Sequence, residues 1–283
     1  MLYVLASVVC SVAVSVLLKL ARRWHIDVGQ AVAWNYVVAG TATLLALRPE
    51  WTPLAHAQPP WLALVLLGIL LPTIFLALAA SVRHAGIVRS DAAQRLSLVL
   101  SLGAAFTLFG EQLTLLKLAG CTLGLVAMAG MVWRGGATAR DAANGKAWLW
   151  PLVVFAGFGI IDILFKRVAA SGVPLGTALA VVFALALLTA FAIELARRSR
   201  WTWQGFAGGV ALGLFNFGNI LFYLRAHRAL PHDPSLVFAG VNLGVVALGA
   251  GVGMLVFRER LGRINLAALG LALFAIAMLA LAQ

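Results

Sequence analysis

Long apolar segments alternate with short polar ones along the whole chain. Ten stretches are apolar over about 20 residues, which is the length that an α-helix needs to cross a bilayer core of about 30 Å. They are residues 2–21, 28–47, 60–82, 88–109, 113–133, 148–170, 174–195, 203–224, 234–256 and 263–282. They are too long and too continuous for the alternating strands of roughly 10 residues in membrane barrels. The pattern therefore predicts an all-α membrane protein with ten transmembrane helices.

The composition agrees with this prediction, and the positions of the charged residues argue against a nucleic-acid-binding protein. Hydrophobic residues make up 63% of the chain and charged residues 11%, with a mean hydropathy of +1.01. A water-soluble core of this size cannot hold so many apolar side chains. The net charge of +12 is typical of proteins that bind nucleic acid. However, Lys and Arg occur in small groups at the ends of the apolar stretches, as membrane-edge residues do, so no nucleic-acid partner is expected.

The sequence also contains an internal repeat. Residues 100–127 align with 248–275 without a gap, with ten identities in 28 positions. A loop at residues 134–147, rich in Gly, Ala and charge, separates a first five-span repeat (1–133) from a second (148–283). Because each repeat has an odd number of spans, the second enters the membrane from the opposite side. Such inverted repeats are typical of secondary transporters, whose substrate site lies near the midplane.

Each repeat ends with a span, a short turn containing Glu, and a last span; the two turns read GEQL (110–113) and RERL (258–261). This ten-span arrangement resembles the EamA-type branch of the drug/metabolite transporter superfamily over the whole chain. The resemblance implies export of small metabolites or drugs through a cavity lined mainly by the first four helices of each repeat. One difference is that small four-helix relatives bind protons and cationic drugs with a Glu in their first helix. The first span here contains no acidic residue, so that mechanism does not transfer directly.

The repeated glutamates have a structural interpretation. Glu111 and Glu259 each follow the fourth span of a repeat and open the fifth, where a carboxylate meets the positive end of the helix dipole. We expect both to cap tight turns, with a role in transport as the alternative. Gly120 and Gly124 form a small-xxx-small pair, which lets backbones approach closely. We therefore expect the fifth and tenth spans to pack there, against each other or across a dimer.

Two charged residues lie near the middle of predicted spans. At 1.5 Å per residue, Asp162 is about 4.5 Å and Arg95 about 5 Å from the centre of its span. Ionisable groups at this depth mark a functional path or an internal ion pair. Lys166 and Asp91, each one turn away from its partner in sequence, are the partners that the structural alternative requires. Arg95 and Asp162 are therefore candidates for binding the carboxylate and the amine of a small zwitterion.

Polar residues also form a stripe on the span 203–224. Asn216, Asn219 and Tyr223 have the spacing of one helix face, and such a face is costly against lipid, so we expect it to meet protein or a wet cavity. Interhelical hydrogen bonding without a substrate is the alternative. With three further lining candidates, the predicted substrate-binding set is Arg95, Asp162, Asn216, Asn219, Tyr223, Asn242, Asn35 and Trp34.

No catalytic or metal site is expected. The five histidines fall at predicted helix ends or in loops, and no metalloprotease, nucleophile-elbow or Walker motif is present. We interpret RAHRALPHDP, residues 225–234, as a basic turn broken by two prolines. Cys10 and Cys121 lie in apolar spans and have no spacing typical of a metal site or a disulfide framework.

These patterns favour a secondary transporter that exports a small organic metabolite, amino-acid-like, or a drug by alternating access. A flippase for a lipid or a lipid-linked sugar is the alternative; an enzyme or a channel fits less well, since neither acid/base motif nor selectivity filter is evident. No cofactor is expected, and a proton is one candidate for the coupling ion. The expected partners are the small-molecule substrate and membrane lipids, the expected state a monomer or homodimer, and the expected location the bacterial cytoplasmic (inner) membrane.

Orientation in the membrane is a further prediction. The odd-numbered loops carry more than twice as many Lys and Arg residues as the even-numbered ones. The positive-inside rule then places the odd loops in the cytoplasm and both termini outside. The family resemblance implies the opposite, with both termini inside. We favour the charge distribution.

Overall fold

The computed structural model describes residues 1–24, 26–51, 59–85, 87–132, 149–257 and 262–282. The regular structure of these residues is α-helical throughout. In chain order the helices are α1 (Leu2–Arg23), α2 (Val28–Leu47), α3 (Trp61–Ala85), α4 (Ile87–Leu96), α5 (Leu98–Thr107), α6 (Leu115–Val132), α7 (Leu149–Ala170), α8 (Leu175–Ala196), α9 (Trp203–Ala229), α10 (Pro234–Phe257) and α11 (Arg263–Leu281).

The helices coincide with the ten predicted spans, with the fourth span divided into α4 and α5. The interruption lies at Ser97, whose hydroxyl donates to the carbonyl of Gln94 at 2.6 Å. It is local, because Ser97 keeps helical backbone angles (φ −54°, ψ −24°). Pro72, in contrast, lies inside α3 without ending it. The predicted fold class, an all-α membrane protein with ten transmembrane helices, is confirmed.

The surface of these helices is apolar. Large hydrophobic side chains are exposed on many of them, including Leu255 at 84% and Leu115 at 83%. Among the described helices, six are long and apolar enough to cross a bilayer by length and composition alone: α1, α2, α3, α8, α9 and α10. Shorter apolar segments occupy α6 and α11. Exposed leucines on so many helices are expected where the helices contact lipid, because the interior of a bilayer is itself apolar.

The described chain forms two compact units. The first consists of Met1–Leu76 with Ile163–Pro231, and the second of Ala77–Asp162 with His232–Gln283. Each unit takes helices from both predicted repeats, so the units are not the sequence halves. The division into repeats 1–133 and 148–283 stays a prediction. The inter-repeat loop 134–147 and the second glutamate turn with Glu259 lie outside the described residues.

In the first unit, a row of glycines lets α9 approach α2. Gly205, Gly209 and Gly213 are spaced four residues apart and all face α2. A Cβ atom at Gly209 would collide with the side chain of Trp34 and lie 2.8 Å from the carbonyl oxygen of Ala31. Real Cβ contacts are not that short, so the two backbones lie as close as glycine permits.

In the second unit, small residues of α6 face two helices. A Cβ at Gly120 would lie 2.9 Å from Leu279, and one at Gly130 2.8 Å from Ala268, both in α11. The predicted contact between the fifth and tenth spans is therefore confirmed. The expectation was wrong for Gly124, whose missing Cβ makes room for Leu243 of α10 instead.

Candidate functional site

The central feature of the second unit is a hydrogen bond between the carboxylate of Asp162 and a serine. The Ser101 hydroxyl of α5 donates to Asp162 Oδ2 of α7 at 2.8 Å. Ser101 is fully buried, whereas Asp162 is half-buried. A serine bonded to one carboxylate oxygen orients the group while leaving it further acceptor capacity.

A glycine one turn away permits this contact. A Cβ atom at Gly159 would lie 2.8 Å from both the Cβ and the Cδ1 atoms of Leu100. Gly159 precedes Asp162 by three residues and Leu100 precedes Ser101 by one, so the close approach and the hydrogen bond belong to the same part of the α5–α7 contact. Sequence reasoning missed Ser101 and Gly159, although the Gly in the apolar run before Asp162 was a usable signal.

Arg95 lies beside the helix interruption in the same unit. It occupies the last turn of α4 and is half-buried. Ser97, where the helix is interrupted, lies between Arg95 and Ser101 in sequence. Six residues of helix separate Arg95 from Ser101, roughly 9 Å along the axis. The two predicted ionisable candidates thus belong to one unit, with Arg95 on α4 and Asp162 on α7.

The structural alternative requires Asp91 and Lys166 as ion partners of Arg95 and Asp162. The side chain of Asp91 lies outside the described part of the chain. Lys166 is buried at 3% exposure, and its Nζ donates to the carbonyl oxygen of Pro231 at 2.8 Å. This contact belongs to the first unit and fastens the end of α7 to the segment after α9.

The three residues of the predicted stripe on α9 have different surroundings. Asn219 accepts a hydrogen bond at Oδ1 from the hydroxyl of Ser7 in α1, at 2.8 Å. Tyr223 is buried and packs edge-on against Phe165 of α7. Asn216 is buried at 5%, and its Nδ2 has no hydrogen-bond partner within the described residues. The stripe thus faces protein, as predicted, and Asn219 is used between helices. A substrate role for the three stays a prediction.

Two candidates on α2 have contrasting surroundings. Asn35 is fully buried, and neither atom of its side-chain amide has a hydrogen-bond partner among the described residues. Buried amides are normally satisfied, and a role of this one in substrate binding stays a prediction. Trp34 instead belongs to an aromatic cluster with Phe191, Trp201 and Phe206. It lines an apolar groove of about 690 Å³, rather than a polar cavity.

Asn242, the remaining candidate, lies in α10 and is half-buried. Its Nδ2 donates to the carbonyl oxygen of Phe238, one turn earlier in the same helix, at 2.9 Å. This bond within α10 uses the amide nitrogen of Asn242 and does not involve its Oδ1 atom. A role in binding stays a prediction.

Glu111 forms a buried ionic cluster that the sequence did not indicate. Its carboxylate accepts from the backbone N–H and the hydroxyl of Ser235, at 2.8 and 2.5 Å. Lys117 Nζ lies 2.9 Å from Glu111 Oε1 and 2.5 Å from Asp233 Oδ1. The expectation that Glu111 caps the turn into its own helix was therefore wrong, because it caps the first turn of α10.

The interpretation of residues 225–234 as a turn was also wrong in its first half. Helix α9 continues to Ala229, and His227 is buried at 1% exposure against the ring of Tyr223. The Arg228 guanidinium donates to the carbonyl oxygen of Val173. These contacts hold the end of α9 against the α7–α8 connection, so hydrophobicity alone underestimated the length of this helix.

Comparisons with known proteins agree with this architecture. The model of the EamA-like transporter family matches residues 1–133. A protein from Haemophilus influenzae, described only as uncharacterized, is 43% identical over 267 residues, covering 92% of this chain and 90% of its own. A solved crystal structure with 17% identity covers 99% of both chains with a TM-score of 0.73, which shows the fold alone.

The family match covers the first repeat, where the GEQL turn lies, and the structural likeness extends the same fold over the remaining residues. Both agree with the helices observed here. The chain is an integral, multi-pass membrane protein of the drug/metabolite transporter type, and it belongs to the EamA-like transporter family.

Proposed function

We propose that this chain exports a small, amino-acid-like metabolite across the bacterial inner membrane by alternating access. The observation that supports this proposal most is the hydrogen bond from Ser101 to the half-buried carboxylate of Asp162, close to the middle of α7. Membership of a transporter family supports the class of activity, and the family resemblance supports the outward direction.

The chemistry of this site suits an amine. An oriented carboxylate in a low-dielectric region attracts an ammonium group strongly, and the serine fixes the direction from which the ammonium must come. A carboxylate placed so deep is costly unless it has such a use or an internal partner.

Arg95 supplies the complementary charge in the same unit. A guanidinium binds a carboxylate in a bidentate manner. We propose that a solute that carries both an amine and a carboxylate binds Asp162 through its amine and Arg95 through its carboxylate. Arg95 and Ser101 both lie on the fourth span, and the substrate sites of secondary transporters lie near the midplane. These features favour a zwitterion over a singly charged solute.

The proposal is tested by counterflow in proteoliposomes. Vesicles are loaded with one unlabelled amino acid at a time, and exchange of the same radiolabelled amino acid is followed. We expect saturable exchange for at least one zwitterionic amino acid, and weaker exchange for its decarboxylated amine and its deaminated acid. Equal exchange of all three compounds, or none above protein-free vesicles for a full amino-acid panel, would contradict the proposal.

A flippase is less well supported. Such a protein needs a polar groove that opens to lipid. Two grooves in the first unit, of about 350 and 690 Å³, are lined almost wholly by apolar side chains. They suit acyl chains but not the polar headgroup that a flippase must move.

A further inference from the structure

A second buried acid, unused by the site above, lies near the end of α8. Glu194 is 2% exposed, which is unusual for a carboxylate. Its Oε1 forms an ion pair with Nη1 of Arg197 at 2.8 Å. Its Oε2 is buried and has no hydrogen-bond partner within the described residues. A buried carboxylate oxygen in that state favours a proton or a water molecule.

Glu194 lines a small cavity where three helices of the first unit meet. The cavity has a volume of about 10 Å³. Its walls are Ala190, Ile193 and Glu194 of α8, Gly29 and Val32 of α2, and Pro72 and Leu76 of α3. A cavity of roughly 10–15 Å³ holds one water, so no organic solute fits. Glu194 provides the only polar side chain of this wall, which is too few oxygen ligands for a metal cation.

The backbone of α2 is built around this carboxylate. A Cβ atom at Gly29 would collide with Oε1 of Glu194 and lie 2.6 Å from Nη1 of Arg197. Glycine at this position thus allows the first turn of α2 to lie against the ion pair. The first turn of α2 therefore contacts both groups of the ion pair directly.

The third wall of the cavity is irregular. Pro72 has no N–H, so the carbonyl of Gly68, four residues earlier in α3, lacks its normal helical donor. A helix with a missing bond bends more easily than an intact one. The carboxylate therefore lies where a rigid contact with α2 meets a weak point of α3.

We propose that Glu194 is the proton-binding site that couples transport to a pH gradient. This inference rests on the proposed transport function. When a proton from water binds the carboxylate, the charge that holds Arg197 is lost. The side chain of Arg197 is 48% exposed, so it can turn toward water. Release of the ion pair changes the surface on which Gly29 packs the first turn of α2, and loss of the proton re-forms the pair.

Among the described residues, charged groups on the elements that form this site lie at the end of α8 and at the start of α2. On α8 the partner is Arg197, and at the start of α2 Asp27 accepts from the backbone N–H groups of Gly29 and Gln30. From α3, the described residues of the wall are Pro72 and Leu76, and neither titrates.

Infrared difference spectroscopy between acid and alkaline pH tests proton binding without any substrate. We expect a carbonyl band of a buried protonated carboxyl group in the wild-type protein. The band should disappear in Glu194→Gln and remain in Glu50→Gln, which makes the same change at an exposed residue. A band that persists in Glu194→Gln, or no such band in the wild-type protein, would overturn the proposal.

Coupling is tested with an amino acid that the wild-type protein exchanges. The ratio of uptake driven by a pH gradient to exchange at equal pH should fall to that of gradient-free vesicles in Glu194→Gln, and stay at the wild-type value in Glu50→Gln. An unchanged ratio in Glu194→Gln refutes the role of this carboxylate. If the wild-type protein exchanges no amino acid, the transport proposal fails instead, and the infrared band still decides whether Glu194 binds a proton.

Discussion

Glu111 accepts hydrogen bonds from both the backbone N–H and the side-chain hydroxyl of Ser235, at 2.8 and 2.5 Å. The two residues are 124 positions apart in the chain. Ser235 lies in the first turn of α10, where amide groups lack helical partners, so the carboxylate acts as a cap supplied by a distant segment. Lys117 contacts the same carboxylate and neutralises it. One acid thereby joins the segment before α6 to the start of α10.

Replacing Glu111 by Ala should destabilise the protein strongly. The change leaves Lys117 with only Asp233 and removes the acceptor of two donors of Ser235. Breaking a buried ionic contact costs about 3–5 kcal/mol. Thermal unfolding in mild detergent should therefore show a clear decrease in Tm. Gln112→Ala, at the exposed neighbouring position, is the control and should change little. A wild-type Tm for Glu111→Ala would show that the cap contributes nothing.

The glycine row of α9 should tolerate no side chain. In Gly209→Ala the new methyl group meets Trp34 and the carbonyl oxygen of Ala31, and overpacking of this kind costs about 1–3 kcal/mol. We expect a lower Tm and a smaller monodisperse peak in size-exclusion chromatography. Gly270→Ala in α11 is the matched control, because no atom lies within 4 Å of its added Cβ. Equal Tm values and equal peaks for the two variants would show that the α2–α9 contact does not contribute to the stability of the fold.

The helices could be predicted from the lengths of the apolar stretches, because the thickness of the bilayer sets those lengths. A bilayer requires about 20 apolar residues per helix and allows no unpaired backbone, so the apolar stretches could be found from the sequence alone. The interruption at Ser97 escaped prediction because it contains neither Pro nor Gly. The backbone there stays helical, with the Ser97 N–H donating to the carbonyl of Ala93 at 3.1 Å, so the sequence carries no signal for it.

The candidate site was predictable only in part, since a partner distant in sequence leaves no local pattern. The depth of Asp162 in its span was visible, but not that Ser101 is its donor. Likewise, the sequence placed Glu111 at a helix start but could not show that the helix capped is α10. Glu194 escaped notice because it lies at the end of a span, where acidic residues are ordinarily exposed.

The glycine beside Asp162 should affect transport more than stability. In Gly159→Ala the added methyl group meets Leu100, which pushes α7 away from α5 and lengthens the hydrogen bond from Ser101. We expect a higher KM in exchange assays for a protein that still folds. Gly103→Ala on α5, whose Cβ would meet no atom within 4 Å, should keep the wild-type KM. The same KM in both variants would mean that the geometry of Asp162 is irrelevant to binding.

Orientation can be settled with fusions at the C-terminus. The charge distribution predicts an external C-terminus. An alkaline phosphatase fused there should be active, and a fluorescent protein fused there should be dark. The reverse result would support the orientation that the family resemblance implies, with both termini in the cytoplasm.

We propose that the carboxylate of Asp162 binds the amine of the cargo and that Arg95 binds the carboxylate of the cargo. The most direct measurement is counterflow of a transported amino acid by purified Asp162→Asn in proteoliposomes, with Arg95→Gln in parallel and folding checked by Tm. We predict that both variants fold and that exchange is lost in each. If Asp162 were only structural, Asp162→Asn should lower the Tm, and the fraction that folds should keep wild-type exchange. Wild-type exchange kinetics in well-folded Asp162→Asn would contradict the account.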